Sequence, residues 1–138
     1  MEVITKNCAQ INLQQINDEK DGVLSVAEQE KQIPFRIKRV YYIHSFKDKN
    51  AIRGFHAHKY LEQAIFCISG SFKLMTNDGN NEQSFLLNNP NQGIYIGKEL
   101  WHTMDQFSQD CIILVFASDF FDELDYIRDY QEFLDYLD

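Results

Sequence analysis

Arg53-Gly54-Phe55-His56-Ala57-His58-Lys59-Tyr60-Leu61-Glu62-Gln63, followed by Gly70, is the stretch whose reading decides the fold. On a strand, alternate side chains share a face, so His56 and His58 point the same way and two imidazoles converge at one place. From Ile11 to Val115 the apolar residues come in short runs separated by polar or Gly-containing breaks, the pattern of an antiparallel sandwich or barrel. The strands expected are Gly22 to Ala27, Ile37 to Ile43, Ile52 to His58, Gln63 to Ile68, Ser71 to Thr76, Gln83 to Leu87, Gly93 to Ile96, Leu100 to Asp105 and Cys111 to Ala117. That number suits an all-β jelly roll.

Two breaks read as hairpin turns: Asn77-Asp78-Gly79-Asn80, where Asp-Gly supplies the positive φ of a tight turn, and Ser69-Gly70. After Ala117 the character changes. Ser118-Asp119 can cap a helix, and Tyr126, Tyr130, Phe133 and Leu137 recur at helical spacing, so residues 119–138 are expected to form a mainly helical tail packed on the barrel.

A length of 138 residues fits one domain spanning 1–138, and 44% hydrophobic residues are enough for a core. The net charge of −8 excludes a general nucleic-acid binder, which needs a basic face, but not a single nucleotide ligand, whose diphosphate needs only one or two cations. Cys8, Cys67 and Cys111 lack metal spacing and read as thiols in a reducing compartment. No apolar run approaches the roughly 20 residues that cross a bilayer. The start, MEVITKNCAQ, lacks the charged and apolar segments of a secretion signal, so a cytoplasmic protein with no membrane partner is expected.

The His-x-His spacing resembles the first cupin motif, with Gln63 where the metal-binding Glu of that pattern belongs and Gly70 at the right interval. Gly93, Gly97 and His102 resemble a degenerate second motif, and the resemblance implies a cupin jelly roll with His102 facing the same cavity. Three imidazoles without the carboxylate admit two interpretations. An amide oxygen is a poorer ligand for a divalent cation than a carboxylate, which favours acid/base work, while a three-His metal site stays chemically competent.

Nearly the whole chain resembles the sugar 3,4-ketoisomerases that act on thymidine-diphosphate-4-keto-6-deoxyglucose. The residues carrying this are Ile33-Pro34-Phe35, Ile37 to Ile43, Arg53 to His58, Leu61-Glu62-Gln63, Gly70-Ser71, Trp101-His102, Ala117-Ser118-Asp119 and Asp125-Tyr126-Ile127-Arg128. The resemblance implies proton shuttling without metal or organic cofactor, on a dTDP-linked 4-keto-6-deoxyhexose. It implies His58 as the base for the C3 proton, His56 as the relay, and a homodimer with N-terminal strands that could be exchanged. A metal-dependent cupin enzyme and a non-catalytic sugar-binding cupin are the alternatives.

Strand parity extends the expected site. Arg39 shares a face with Phe35, Ile37, Tyr41 and Ile43, and a charge on an apolar face needs a partner, which a diphosphate or an internal carboxylate can supply. Arg39 and Arg53 are the expected phosphate ligands. Tyr41, Gln63, Lys73, Tyr95 and His102 are expected to hold the sugar or phosphate. In one place the chain departs from the family pattern: Asp21 precedes Gly22 where an Arg often stands.

Overall fold

Alternation of small apolar runs closes this fold from two sides. The computed structural model describes residues 2–138, and its strands are β1 (Cys8–Asn12), β2 (Gln14–Asn17), β3 (Val23–Val26), β4 (Arg39–Ile43), β5 (Arg53–His58), β6 (Gln63–Ser69), β7 (Phe72–Asn77), β8 (Glu82–Leu87), β9 (Gln92–Ile96), β10 (Trp101–Asp105), β11 (Ile112–Ala117) and β12 (Tyr126–Ile127). One helix, α1 (Tyr130–Leu137), follows them. Two five-stranded sheets, ordered β1-β9-β6-β11-β4 and β12-β5-β10-β7-β8, make the sandwich, and β2 and β3 form a separate pair. All pairings between named strands are antiparallel.

The period of two is plain in β7, where Phe72, Leu74 and Thr76 are buried and Lys73, Met75 and Asn77 are only half-buried. The same alternation in β11 turns Ile113, Val115 and Ala117 inward. Phe72, Leu74, Ile113 and Val115 meet Ile65, Phe85, Ile94 and Ile96 in one core shared by both sheets. Each fully buried Phe or Leu in it contributes about 1.5–3 kcal/mol relative to exposure.

Two expectations are corrected. The Asn77–Asn80 turn does join neighbouring strands, with Gly79 at φ 94° and the Asp78 carboxylate accepting from the backbone of Asn80 and Asn81. Ser69-Gly70 does not: β6 and β7 lie in different sheets, and the left-handed Gly70 (φ 71°) carries the chain across the sandwich. The tail is not one helix begun at Asp119. Asp122 caps a single 3-10 turn (Glu123–Asp125), β12 pairs with β5, and Asp129 accepts from the Glu132 amide to start α1. Helical spacing put Tyr126 on a helix face, but sheet pairing with His58 outweighed it. Phe133 of α1 is fully buried against Ala57, Trp101 and Ile127, which pins the tail to the back of β5.

Candidate active site

The site begins with a defect in β5. His56 pairs with His102 of β10 and Gly54 with Thr103, so Phe55 is an extra residue without a partner. Gly54 (φ 95°) and Phe55 (φ 59°) both sit in the left-handed region, and a Cβ on Gly54 would lie 2.7 Å from the His102 carbonyl oxygen. The bulge throws Phe55 outward and brings Arg53 to the same cavity wall as His56, which unbroken alternation forbids.

The cavity has a volume of about 230 Å³. Arg39, Tyr41, Arg53, His56, Gln63, His102 and Tyr126 supply its polar wall, and Ile65, Ile96, Met104 and Val115 its apolar floor. Of the expected residues it therefore unites all but three. Lys73 lies on the outward face of β7. Tyr95 faces away from Ile94 and Ile96, and its hydroxyl donates to Glu62 at 2.6 Å. The third, His58, stands behind the wall, 1% exposed, so it is His56 that meets the cavity. Asp21, beside Gly22, is exposed in a 3-10 turn and does not line the cavity. Tyr126 was missed because its address is set by a two-residue strand pairing far along the chain.

The three rings form one cluster. His56 lies at the centre, with ring centroids 5.0 Å from His58, 4.6 Å from His102 and 5.0 Å from Tyr126. His102 donates from Nδ1 to the Leu100 carbonyl at 3.1 Å, and His58 Nδ1 is 3.0 Å from the Asp125 carboxylate. His56 Nδ1 and His58 Nε2 are buried without a hydrogen-bond partner. Burial, then the neighbouring His102 and His58, push His56 down to about 2, with the Gly54 carbonyl opposing. Burial, then His102, Arg39 and Arg128, bring His58 to about 3, and burial lowers His102 as well. All three rings are neutral at pH 7, and a neutral imidazole can accept a proton.

A ring nitrogen of each histidine lies within 4.8 Å of the others, so together they could share a cation. The position of a fourth, charge-neutralising ligand is taken by Gln63, whose amide donates to the Tyr41 hydroxyl at 2.7 Å. That donor set is neutral throughout. Burial, with Tyr126 adding to it, pushes the Tyr41 hydroxyl up to about 12 against the opposing effect of Arg39. Arg39 has a buried Nε with no partner, and no carboxylate lies within salt-bridge distance of it among the described residues.

A jelly roll with a His-x-His pair on its bulged strand, beside a histidine of the neighbouring strand at the cavity wall, is a cupin. The chain belongs to the WxcM-like, C-terminal family, whose model matches residues 6–138. It is 46% identical over 127 residues to a TDP-4-oxo-6-deoxy-alpha-D-glucose-3,4-oxoisomerase of Aneurinibacillus thermoaerophilus, covering 92% of this chain and 90% of that one. A mutant 3,4-ketoisomerase of Thermoanaerobacterium thermosaccharolyticum, in complex with TDP-4-keto-6-deoxyglucose, superposes with a TM-score of 0.91 at 41% identity, covering 96% of this chain and 95% of that one. The TDP-quinovose 3,4-ketoisomerase of Campylobacter jejuni does so with 0.89 at 49% identity, covering 94% and 98%.

Proposed function

We propose that this chain is an isomerase that moves the keto group of dTDP-4-keto-6-deoxy-D-glucose from C4 to C3 through an enediol, by histidine acid/base chemistry without metal or organic cofactor. The observation that carries the reading is one cavity joining His56 and His102 to the unpaired guanidinium of Arg39. A proton acceptor for the sugar and a cation for the diphosphate thus share a wall. The relatives' activities and the coverage of nearly the whole chain support the same reading.

The chemistry follows from the substrate. The C4 ketone acidifies the hydrogen on C3, so a positioned neutral base can take it, and the electron pair moves into a C3–C4 double bond with charge on O4. His56, at the wall, is the base. Tyr41, held protonated, is suited to donate to the developing oxyanion. Loss of the O3 proton then forms the C3 ketone as C4 takes up a proton. In the balance one hydrogen moves from C3 to C4 and one from O3 to O4, with no net redox change. His58 serves as the relay behind His56. Arg39 and Arg53 hold the diphosphate, with Gln63 and His102 against the sugar.

The acting unit is residues 1–138, and the form proposed is a homodimer with exchanged N-terminal strands. The exposed Ile16, Val23 and Leu24 on the separate β2–β3 pair are apolar surface that such an exchange would cover. Among the described residues no helix is long and apolar enough to cross a membrane. The cytoplasm is the compartment proposed, and the free thiols Cys8, Cys67 and Cys111 suit it.

The test is incubation with dTDP-4-keto-6-deoxyglucose in deuterated water, followed by NMR. A 3-keto product carrying deuterium at C4 is expected, unaffected by prior chelator treatment, and His56→Asn should slow it about 10²–10⁴-fold. A wild-type protein that makes no 3-keto sugar overturns the function. Activity lost with a stoichiometric metal overturns the cofactor-free mechanism, and unchanged turnover in His56→Asn overturns the base.

A further inference from the structure

Asp125 reaches no part of the cavity wall, yet its side chain gathers three hydrogen bonds next to the histidines. Its Oδ1 accepts from the Tyr60 amide at 2.7 Å, and its Oδ2 accepts from the Leu61 amide at 3.3 Å and faces His58 Nδ1 at 3.0 Å. Its backbone carbonyl accepts from the Lys59 amide at 2.9 Å, so the 3-10 turn carrying it is strapped to the chain just after β5. The side chain is only 12% exposed.

A carboxylate only accepts, whereas a neutral imidazole carries one hydrogen on either nitrogen. Facing Asp125, that hydrogen belongs on Nδ1, and the lone pair is left on Nε2. Nε2 is also the His58 atom that is buried without any partner. The ring lies edge-on to His56, 5.0 Å between centroids.

We propose that Asp125 is a positioning residue that locks His58 in its Nδ1–H form, so that Nε2 offers a lone pair to the proton His56 takes from the sugar. The inference rests on the ketoisomerase reading above. Protonated at one nitrogen by the C3 hydrogen, His56 becomes an imidazolium with a second N–H to give. His58 receives that proton on Nε2, and the resulting cation is balanced by Asp125. The proton travels back along the same rings.

Asp125→Asn tests this. Its oxygen can keep the Tyr60 amide contact, while its NH₂ group, turned to His58, donates to Nδ1 and drives the hydrogen onto Nε2. Imidazole ¹⁵N–¹H correlation spectra of the labelled protein without substrate read the tautomer directly. Expected are an Nδ1–H His58 in wild type, an Nε2–H His58 in Asp125→Asn, and a kcat lowered about 10²–10⁴-fold with KM changed less than about threefold. An Nε2–H His58 in wild type overturns the proposal whether or not the variant folds. A reversed tautomer with unchanged kcat overturns it too. Should wild type make no 3-keto sugar, the function falls while the tautomer assignment stands on the spectrum alone.

Discussion

Arg39 shows how one residue can trade stability for binding. Its guanidinium lies 5.3 Å from the centroid of the Tyr41 ring, and its Nε is buried without an acceptor. A half-buried cation with no carboxylate partner costs folding energy, so it is informative that it stands on a cavity wall in a chain of net charge −8. Arg39→Met keeps much of the volume and removes the charge. KM should rise roughly 10–100-fold, the equivalent of a charge-assisted hydrogen bond of about 1.5–3 kcal/mol, while stability to urea stays level or increases. A variant that loses stability and keeps its KM would show that Arg39 is structural. Parity alone exposed this residue and Tyr41 as inward-facing, because β4 alternates without interruption. Lys73 and Tyr95 were misplaced for the opposite reason: their chemistry suited a phosphate or sugar, but their neighbours Phe72, Leu74, Ile94 and Ile96 own the inward positions.

At the scale of the element, the β5 bulge matters most. Gly54 is the residue that permits it, since at φ 95° with backbone of β10 at 2.7 and 3.0 Å no Cβ fits without movement. Gly54→Ala should destabilise the protein by about 1–3 kcal/mol and displace His56 from His102. The check is a paired measurement of urea midpoint and kcat, and a variant matching wild type in both would mean the bulge does not aim His56. The strands of the two sheets were legible where an apolar pattern ran long enough, as a period of two in β7 and as unbroken apolar runs in β6 and β11. β2 escaped because all four of its residues are exposed, leaving no alternation to read. β12 escaped because two residues hold no period at all, and with it went Tyr126 and the role of Asp125. The contact of Asp125 to His58 spans 67 residues of chain, and Phe133 of α1 packs against Ala57 of β5 and Ile127 of β12 beside it.

Across the whole molecule, the cost of assembling the cluster should appear as a dependence of stability on pH. His56, His58 and His102 are all held below the ordinary imidazole value, chiefly by burial. In the unfolded chain each takes up a proton near pH 6.5, whereas folded His56 and His58 do so only near 2 and 3. Below about pH 6.5 the unfolded state therefore binds more protons than the native state, and stability falls as pH falls. Each imidazole contributes a slope of up to about 1.4 kcal/mol per pH unit, so the three together approach about 4. The window from about pH 6.5 to 5 isolates them, because Asp78 and Glu123 are shifted down and titrate below it. Urea unfolding at several pH values in that window should give a slope that rises from about one and a half protons per molecule at about pH 6.5 towards about three near pH 5, and His56→Asn should remove about a third of it. Stability independent of pH there would mean that the rings titrate in the fold as they do in the unfolded chain, so that burial does not hold them neutral.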